Sequence, residues 1–156
     1  MDPLKVDIRI VSPAMPEITT ILEAHLDLMR SISPPEAVHA LDLDQYEASG
    51  TTLFAQYDQD DVVAIGGLRE YEPGAFEIKS MHVPQPYRGR KLSRIMLTHL
   101  LDVARARGGV RASLETGSQD AFEPARRLYA THGFDPCGPF GTYVLDANST
   151  FMTRRL

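Results

Sequence analysis

Between Val83 and Ser93 the chain reads Val83-Pro84-Gln85-Pro86-Tyr87-Arg88-Gly89-Arg90-Lys91-Leu92-Ser93. Arg88, Arg90 and Lys91 gather positive charge around a glycine, directly ahead of a run with helical apolar spacing. A helix starting there presents unpaired N–H groups and the positive end of its dipole. Gly89 lets a ligand approach the backbone, so the segment suits a pyrophosphate. The same residues also read as a basic, solvated helix start. No Gly-x-x-x-x-Gly-Lys-Ser/Thr and no Gly-x-Gly-x-x-Gly occurs, which excludes P-loop and dinucleotide sites. No His-Glu-x-x-His or Cys-x-x-Cys suggests zinc, no Gly-x-Ser-x-Gly suggests a hydrolase, and no metal is expected. Glu77 stands out for a different reason. It interrupts a largely apolar strand beside Phe76 and Ile78, where burial would raise its pKa into a range useful for a base. Pairing with Lys79 or with a neighbouring strand is the alternative.

The elements that position these residues follow from pattern. Val6, Ile8 and Ile10 alternate with Asp7 and Arg9, predicting a strand. Pro16 and Glu17 open a helix whose apolar face holds Ile18, Ile21, Leu22, His25, Leu26 and Met29, ending near Ser31. A short helix is expected over about Glu36 to Leu41. Thr51 to Tyr57, Val62 to Glu70 and Phe76 to Val83 read as strands joined by the turns Asp58 to Asp61 and Glu72-Pro73-Gly74, an antiparallel meander. A long helix follows, with Leu92, Ile95, Met96, Leu100 and Val103 on one face and Gly108-Gly109 as its stop. Val110 to Glu115 returns as a strand, parallel to the last strand of the meander. Asp120 and Glu123 resemble a capping box for a helix carrying Phe122, Ala125, Leu128 and Tyr129. Thr150 to Leu156 is expected as a final strand. The fold class is a mixed α/β (α+β) domain with about four helices, spanning the chain as one unit.

Composition agrees. The chain has 156 residues, net charge −5 and one cysteine, Cys137. The acidic balance argues against a nucleic-acid partner. A lone cysteine excludes an internal disulfide and fits a reducing, cytoplasmic setting. Met1 to Val11 lacks the apolar core of a secretory leader, and no run is long enough for a membrane span.

The order of strand, Pro-x-x-Arg-Gly-Arg, long helix, strand, then a helix with Leu128-Tyr129 followed by Gly133-Phe134, resembles the GNAT superfamily of N-acetyltransferases. Ser33-Pro34-Pro35-Glu36, Glu77-Ile78-Lys79-Ser80-Met81, Leu114-Glu115-Thr116-Gly117-Ser118 and Asn148-Ser149-x-Phe151-Met152-Thr153 further resemble its bacterial YsnE-type subgroup. The family's phosphate motif, Arg/Gln-x-x-Gly-x-Gly/Ala, maps onto Arg88, Gly89, Arg90, Lys91, Leu92 and Ser93. Lys91 and Ser93 stand at its glycine positions, and Phe122 stands where the family often has asparagine. The resemblance implies acetyl-CoA as cosubstrate, held at these residues and by the backbone of Met81, His82 and Val83, in a cleft between splayed parallel strands. It implies acyl transfer to a primary amine of a small molecule or peptide, by direct attack in a ternary complex. A non-catalytic acyl-CoA sensor is the alternative.

The amine must lose a proton before it attacks. Glu77, in a position like the strand glutamate of the histone acetyltransferase branch, is the first candidate base and Glu115 the second. Glu115 could equally bond the loop Thr116-Gly117-Ser118. Tyr129 matches the tyrosine that often serves as proton donor to departing CoA, and would also suit a core position. The family's acceptor wall would place Arg30, Glu36 and His39 near the substrate, a solvated loop being the alternative, and the loop Phe140-Gly141-Thr142-Tyr143 could close over it or cover the sheet edge. His82 is expected to pack on the far face of the sheet, His25 in the core and His99 half-buried. Cys137 reads as a small apolar residue near a turn. Relatives often pair through their C-terminal strands, and Phe151 and Met152 would permit a homodimer.

Overall fold

The computed structural model describes residues 6–37 and 44–156. Among the described residues, seven strands form one sheet in the order β1-β2-β3-β4-β5-β7-β6. The strands are β1 (Asp7–Val11), β2 (Thr52–Asp58), β3 (Asp61–Glu72), β4 (Ala75–His82), β5 (Arg111–Gly117), β6 (Asp135–Cys137) and β7 (Ser149–Arg155). The helices are α1 (Pro16–Ile32), α2 (Gln45–Ala48), α3 (Leu92–Ala106) and α4 (Glu123–Thr131). β1 to β4 pair antiparallel, β4 and β5 parallel, and β5, β7 and β6 antiparallel. The meander and the parallel crossover are as expected from the sequence. No helix among the described residues is long and apolar enough to cross a membrane.

One face of the sheet is largely apolar. Phe54, Leu68, Phe76, Ile78, Ala112 and Leu114 pack there against α3 and α4. Each such large apolar side chain contributes about 1.5–3 kcal/mol on burial. The buried stripe of α3 is Leu92, Met96, Leu97, Leu100, Leu101 and Ala104. Ile95 and Val103 flank this stripe, so the face is turned from the one expected. Gly66 permits the close approach, since a Cβ there would lie 2.8 Å from Met96 Cγ.

The other face is divided. Over β1 to β3, α1 and α2 bury Leu53, Ala55 and Ile65 beneath Ile18, Leu22 and Tyr46. Beyond β3 the same face is polar. Strand alternation places Arg69, Glu77, Lys79, Ser113 and Glu115 opposite the apolar residues between them. A loop crosses this polar half, packing Phe140 near Tyr71 and Phe151, with ring centroids 5.0 and 6.1 Å apart.

Several local expectations are corrected. Ile10 is 72% exposed, because helical cover reaches only the opposite face of that end of β1. The helix expected over Glu36 to Leu41 begins as a single 3-10 turn, Pro35–Ala37, and its remainder lies outside the described residues. Asp120 and Glu123 form no capping box: no side chain caps α4, and Glu123 instead bonds Arg127 at 2.9 Å. α2 and β6, of four and three residues, are too short to show a periodic pattern in the sequence. Phe151 and Met152 are buried in the chain's own core, and β6 occupies the outer edge of β7.

Candidate active site

The site begins with a break in β4. Ser80 has φ 57°, a left-handed backbone within a strand, and the β3–β4 register slips between Gly67↔Lys79 and Ile65↔His82. This is a β-bulge, and its extra residue inverts which face the following side chains take. Met81 and Val83 therefore pack toward the α3 side. His82 turns the other way, toward α1, where its Nδ1 lies 3.1 Å from His25 Nδ1. His82 thus lines the cleft instead of packing on the far face. Ser80 Oγ bonds the hydroxyl of Tyr46 at 2.6 Å, which ties the bulge to α2.

The bulge accompanies a separation of strands. β4 and β5 are paired only from Ala75↔Arg111 to Ile78↔Leu114, although β4 runs on to His82 and β5 to Gly117. Their diverging ends open a cleft of about 510 Å³. Its walls include Leu28, Met29 and Ile32 of α1, the carboxylates Glu77 and Glu115, and Tyr129 and Tyr143. A second groove of about 320 Å³ continues toward α3, sharing Met81, His82, Val83, Arg88, Ser93 and Tyr129 and adding Gly89, Lys91 and Leu92. Arg90 does not line it; its guanidinium lies over the Tyr87 ring at 5.6 Å.

At the start of α3 no side chain caps the exposed N–H groups. Lys91 takes the left-handed conformation there, φ 62°. Glycine adopts that backbone freely, whereas lysine adopts it under strain. Gly89 is also left-handed, with open space where a Cβ would stand. The loop can therefore offer backbone donors and positive charge to a phosphate. Arg88 Nε is already engaged, donating to the Val83 carbonyl at 3.0 Å.

The two candidate bases differ in their surroundings. Glu77 is 3% exposed and enclosed by partners. Tyr143 donates its hydroxyl to Glu77 Oε2 at 2.5 Å, Lys79 Nζ donates to the same oxygen at 3.3 Å, and Arg69 Nε lies 3.7 Å from Oε1. Lys79 also donates to the Tyr143 hydroxyl at 2.9 Å. Burial and the charge of Glu77 push the Tyr143 phenol far up, so it stays protonated. Glu115 has no such enclosure. Burial, reinforced by Glu77 and Asp146 and opposed by the Ser149 hydroxyl and Lys79, raises its carboxyl to about 7. A group titrating there exchanges protons at neutral pH. Tyr129 is 7% exposed, and burial with the nearby Glu115 charge pushes its phenol up to about 12. Both cleft histidines are driven down, His25 to about 3 by burial and then by His82 beside it, and His82 to about 4 by burial and then by the Arg88 charge, so both are neutral at pH 7.

The remaining expected residues are more scattered. Arg30 and Glu36 are exposed and absent from the cleft lining, which α1 supplies from His25, Leu28, Met29 and Ile32. His39 lies outside the described residues. His99 is half-buried, edge-on to Phe54 at 4.9 Å. Cys137 is a partly buried free thiol in β6. Lys79 is the cleft residue that sequence reasoning treated only as a partner for Glu77. Its signal was the two-residue spacing, which puts both on one strand face.

Comparison with known proteins adds family context. The model of the acetyltransferase (GNAT) family matches residues 18–134. YsnE of Bacillus subtilis strain 168, an uncharacterised N-acetyltransferase, is 38% identical over 140 residues, covering 90% of this chain and 93% of that protein. A Klebsiella pneumoniae structure described as an acyl-CoA N-acyltransferase superposes with TM-score 0.80 at 26% identity, covering 97% of both chains. An acetyltransferase of Bacillus subtilis solved in complex with CoA superposes with TM-score 0.70 at 14% identity, covering 97% of this chain and 99% of that one.

Proposed function

The chain belongs to the acetyltransferase (GNAT) family, and from that premise we propose that it moves an acetyl or related acyl group from acyl-CoA to a primary amine of a small molecule or peptide, by direct attack. One observation carries this reading: the diverging ends of β4 and β5 open a cleft that runs from the uncapped, basic start of α3 to Glu115. Its features fit the cosubstrate. The exposed N–H groups of Leu92 and Ser93, with Arg88, Gly89 and Lys91, would hold the pyrophosphate. The backbone of Met81 and His82, beyond the last β4–β5 pair, would hold the pantetheine arm as an added strand. Bound acyl-CoA supplies a thioester carbonyl open to attack by an amine.

The chain's own residues then handle the protons. An alkylammonium with pKa about 10.4 is almost wholly protonated at neutral pH. Glu115, half ionised near pH 7, is the better base of the two carboxylates. Glu77 is enclosed by Tyr143, Lys79 and Arg69, and serves to order that wall. Tyr129 keeps its proton across the working range. Its hydroxyl can therefore donate a hydrogen bond to the sulfur as charge builds there. Complete transfer from a phenol this weak to a thiolate would be uphill, so stabilisation by the bond is the expected role.

Thermal denaturation with and without CoA tests the binding half. Ligand at about 100 times its dissociation constant adds roughly 2.7 kcal/mol, a rise of about 5–10 °C at this size. Thiol release from acetyl-CoA across a panel of amines tests the transfer half. An unchanged melting temperature in millimolar CoA would defeat the proposal. So would CoA binding without thiol release from any amine.

A further inference from the structure

The polar half-face of the sheet has an unbalanced charge. Arg69 and Lys79 face the single carboxylate of Glu77, and the phenol of Tyr143 between them stays neutral. Once Glu115 has accepted a proton from the amine, it offers no compensating charge. Asp146 is the other carboxylate near Glu115, but it is turned into its own loop. There the Asn148 backbone and side-chain N–H groups bond it at 2.8 and 3.2 Å. A positive charge therefore remains in excess beside the acceptor. A buried ion without a counter-charge is costly, and a ligand can supply one.

Lys79 is placed to receive that ligand. Its side chain is only 9% exposed and lines the cleft. An ammonium has three donors. Glu77 and Tyr143 take two of them, and the third has no acceptor among the described residues. Lys79 and Glu115 are the first residues after Ile78↔Leu114, where the parallel pairing stops, so they stand side by side on one face of neighbouring strands. Adjacent strands are about 4.8 Å apart before they diverge. One small molecule can reach both residues if its amine and an anion lie a few bonds apart. The α1 side of the cleft adds an apolar stretch, Leu28, Met29 and Ile32, beyond His25.

Building on the acyl-transfer reading above, we propose that the acceptor is a free amino acid or close analogue with an apolar side chain, its carboxylate bound by Lys79 and its amine directed to Glu115. A peptide amino terminus, which lacks the adjacent carboxylate, is a poorer acceptor on this account.

The test uses the full chain with saturating acetyl-CoA and follows thiol release for three matched sets. These are leucine, methionine and phenylalanine, their carboxamides, and the amines left when the carboxylate is removed. The acids are expected to exceed both other sets by about ten- to hundredfold in kcat/KM, the range of one hydrogen bond to a charged group. The carboxamides have the more weakly basic amines, so reactivity alone would favour them and not the acids. Lys79→Met should bring the ratio of acid to amide close to one, chiefly by raising KM for the acids. If that variant fails to fold, the comparison in the native protein still decides. Amides or simple amines turned over as well as the acids would overturn the proposal and leave acyl transfer intact. Thiol release from no set, with CoA still raising the melting temperature, would overturn this proposal, and acyl transfer itself would fall only if the wider amine panel above also gave none.

Discussion

Replacing Glu115 by glutamine tests the proposed chemistry and its physical cause together. With a carboxyl titrating at about 7, the ionised fraction rises from about a tenth at pH 6 to about nine tenths at pH 8, so kcat at saturation should climb about tenfold over that interval and then level. Glu115→Gln should lower kcat at pH 8 by about 10²–10⁴-fold, the usual worth of a general base, and abolish the inflection. The same substitution has a signature independent of turnover. The folded pKa lies above the ordinary value of 4.5, so the folded state binds the proton more tightly than the unfolded chain. Stability linked to that proton is fully present below about pH 4.5 and is lost as pH rises through about 7. Glutamine removes the loss. The variant should gain on the order of 2–3 kcal/mol at pH 8, or about 4–10 °C in Tm, and almost nothing at pH 4.5. Paired rate profiles and thermal melts from pH 5 to 9 measure both effects. A constant Tm difference across that range would mean that burial does not hold the carboxyl up. An inflection that survives Glu115→Gln and disappears in Glu77→Gln would return the base to Glu77.

Two further outcomes follow from the backbone and from the histidines. Lys91→Gly relieves a left-handed lysine at the start of α3 and should stabilise the protein by about 0.5–1 kcal/mol, read as a higher urea midpoint with an unchanged slope. His25 and His82 have folded pKa values below the ordinary 6.5, so the stability they contribute is present above pH 6.5 and lost as pH falls toward about 4. His25→Leu should therefore cost least at low pH. A stability difference between variant and native protein that does not shrink from pH 7 to pH 5 would contradict neutral burial of the pair.

The parts of this molecule legible in its sequence are those with long, regular periodicity. α1, α3 and the β2–β4 meander show it clearly, and the basic start of α3 follows from the residues just ahead of that helix. β6 has three residues including Pro136, too few to alternate, and it exists because the edge of β7 accepts it. The site was legible as a set of residue types but not as environments. Glu77 reads as a carboxylate within an apolar strand and Glu115 as one at a strand end. They are separated by Tyr143, which reaches Glu77 from 66 residues away and leaves Glu115 without an equivalent partner. Strict alternation along β4 would put His82 on the far face, and one left-handed residue at Ser80 shifts the phase. Arg30 and Glu36 follow from the family's acceptor wall, but the residues of that wall that face the cleft are His25, Leu28, Met29 and Ile32 of α1.

That irregular serine has a consequence for anyone who would improve the protein. Judged by stability alone, the kink in β4 is a defect, and drawing Ser80 into regular extended backbone would restore an unbroken alternation. The repair would turn His82 away from His25, and Met81 and Val83 toward α1. It would also tend to let β4 continue its pairing with β5 past Ile78. The tidier sheet would close over the opening between them. Optimising this fold toward regularity would produce a sturdier scaffold with nowhere for a thioester to lie.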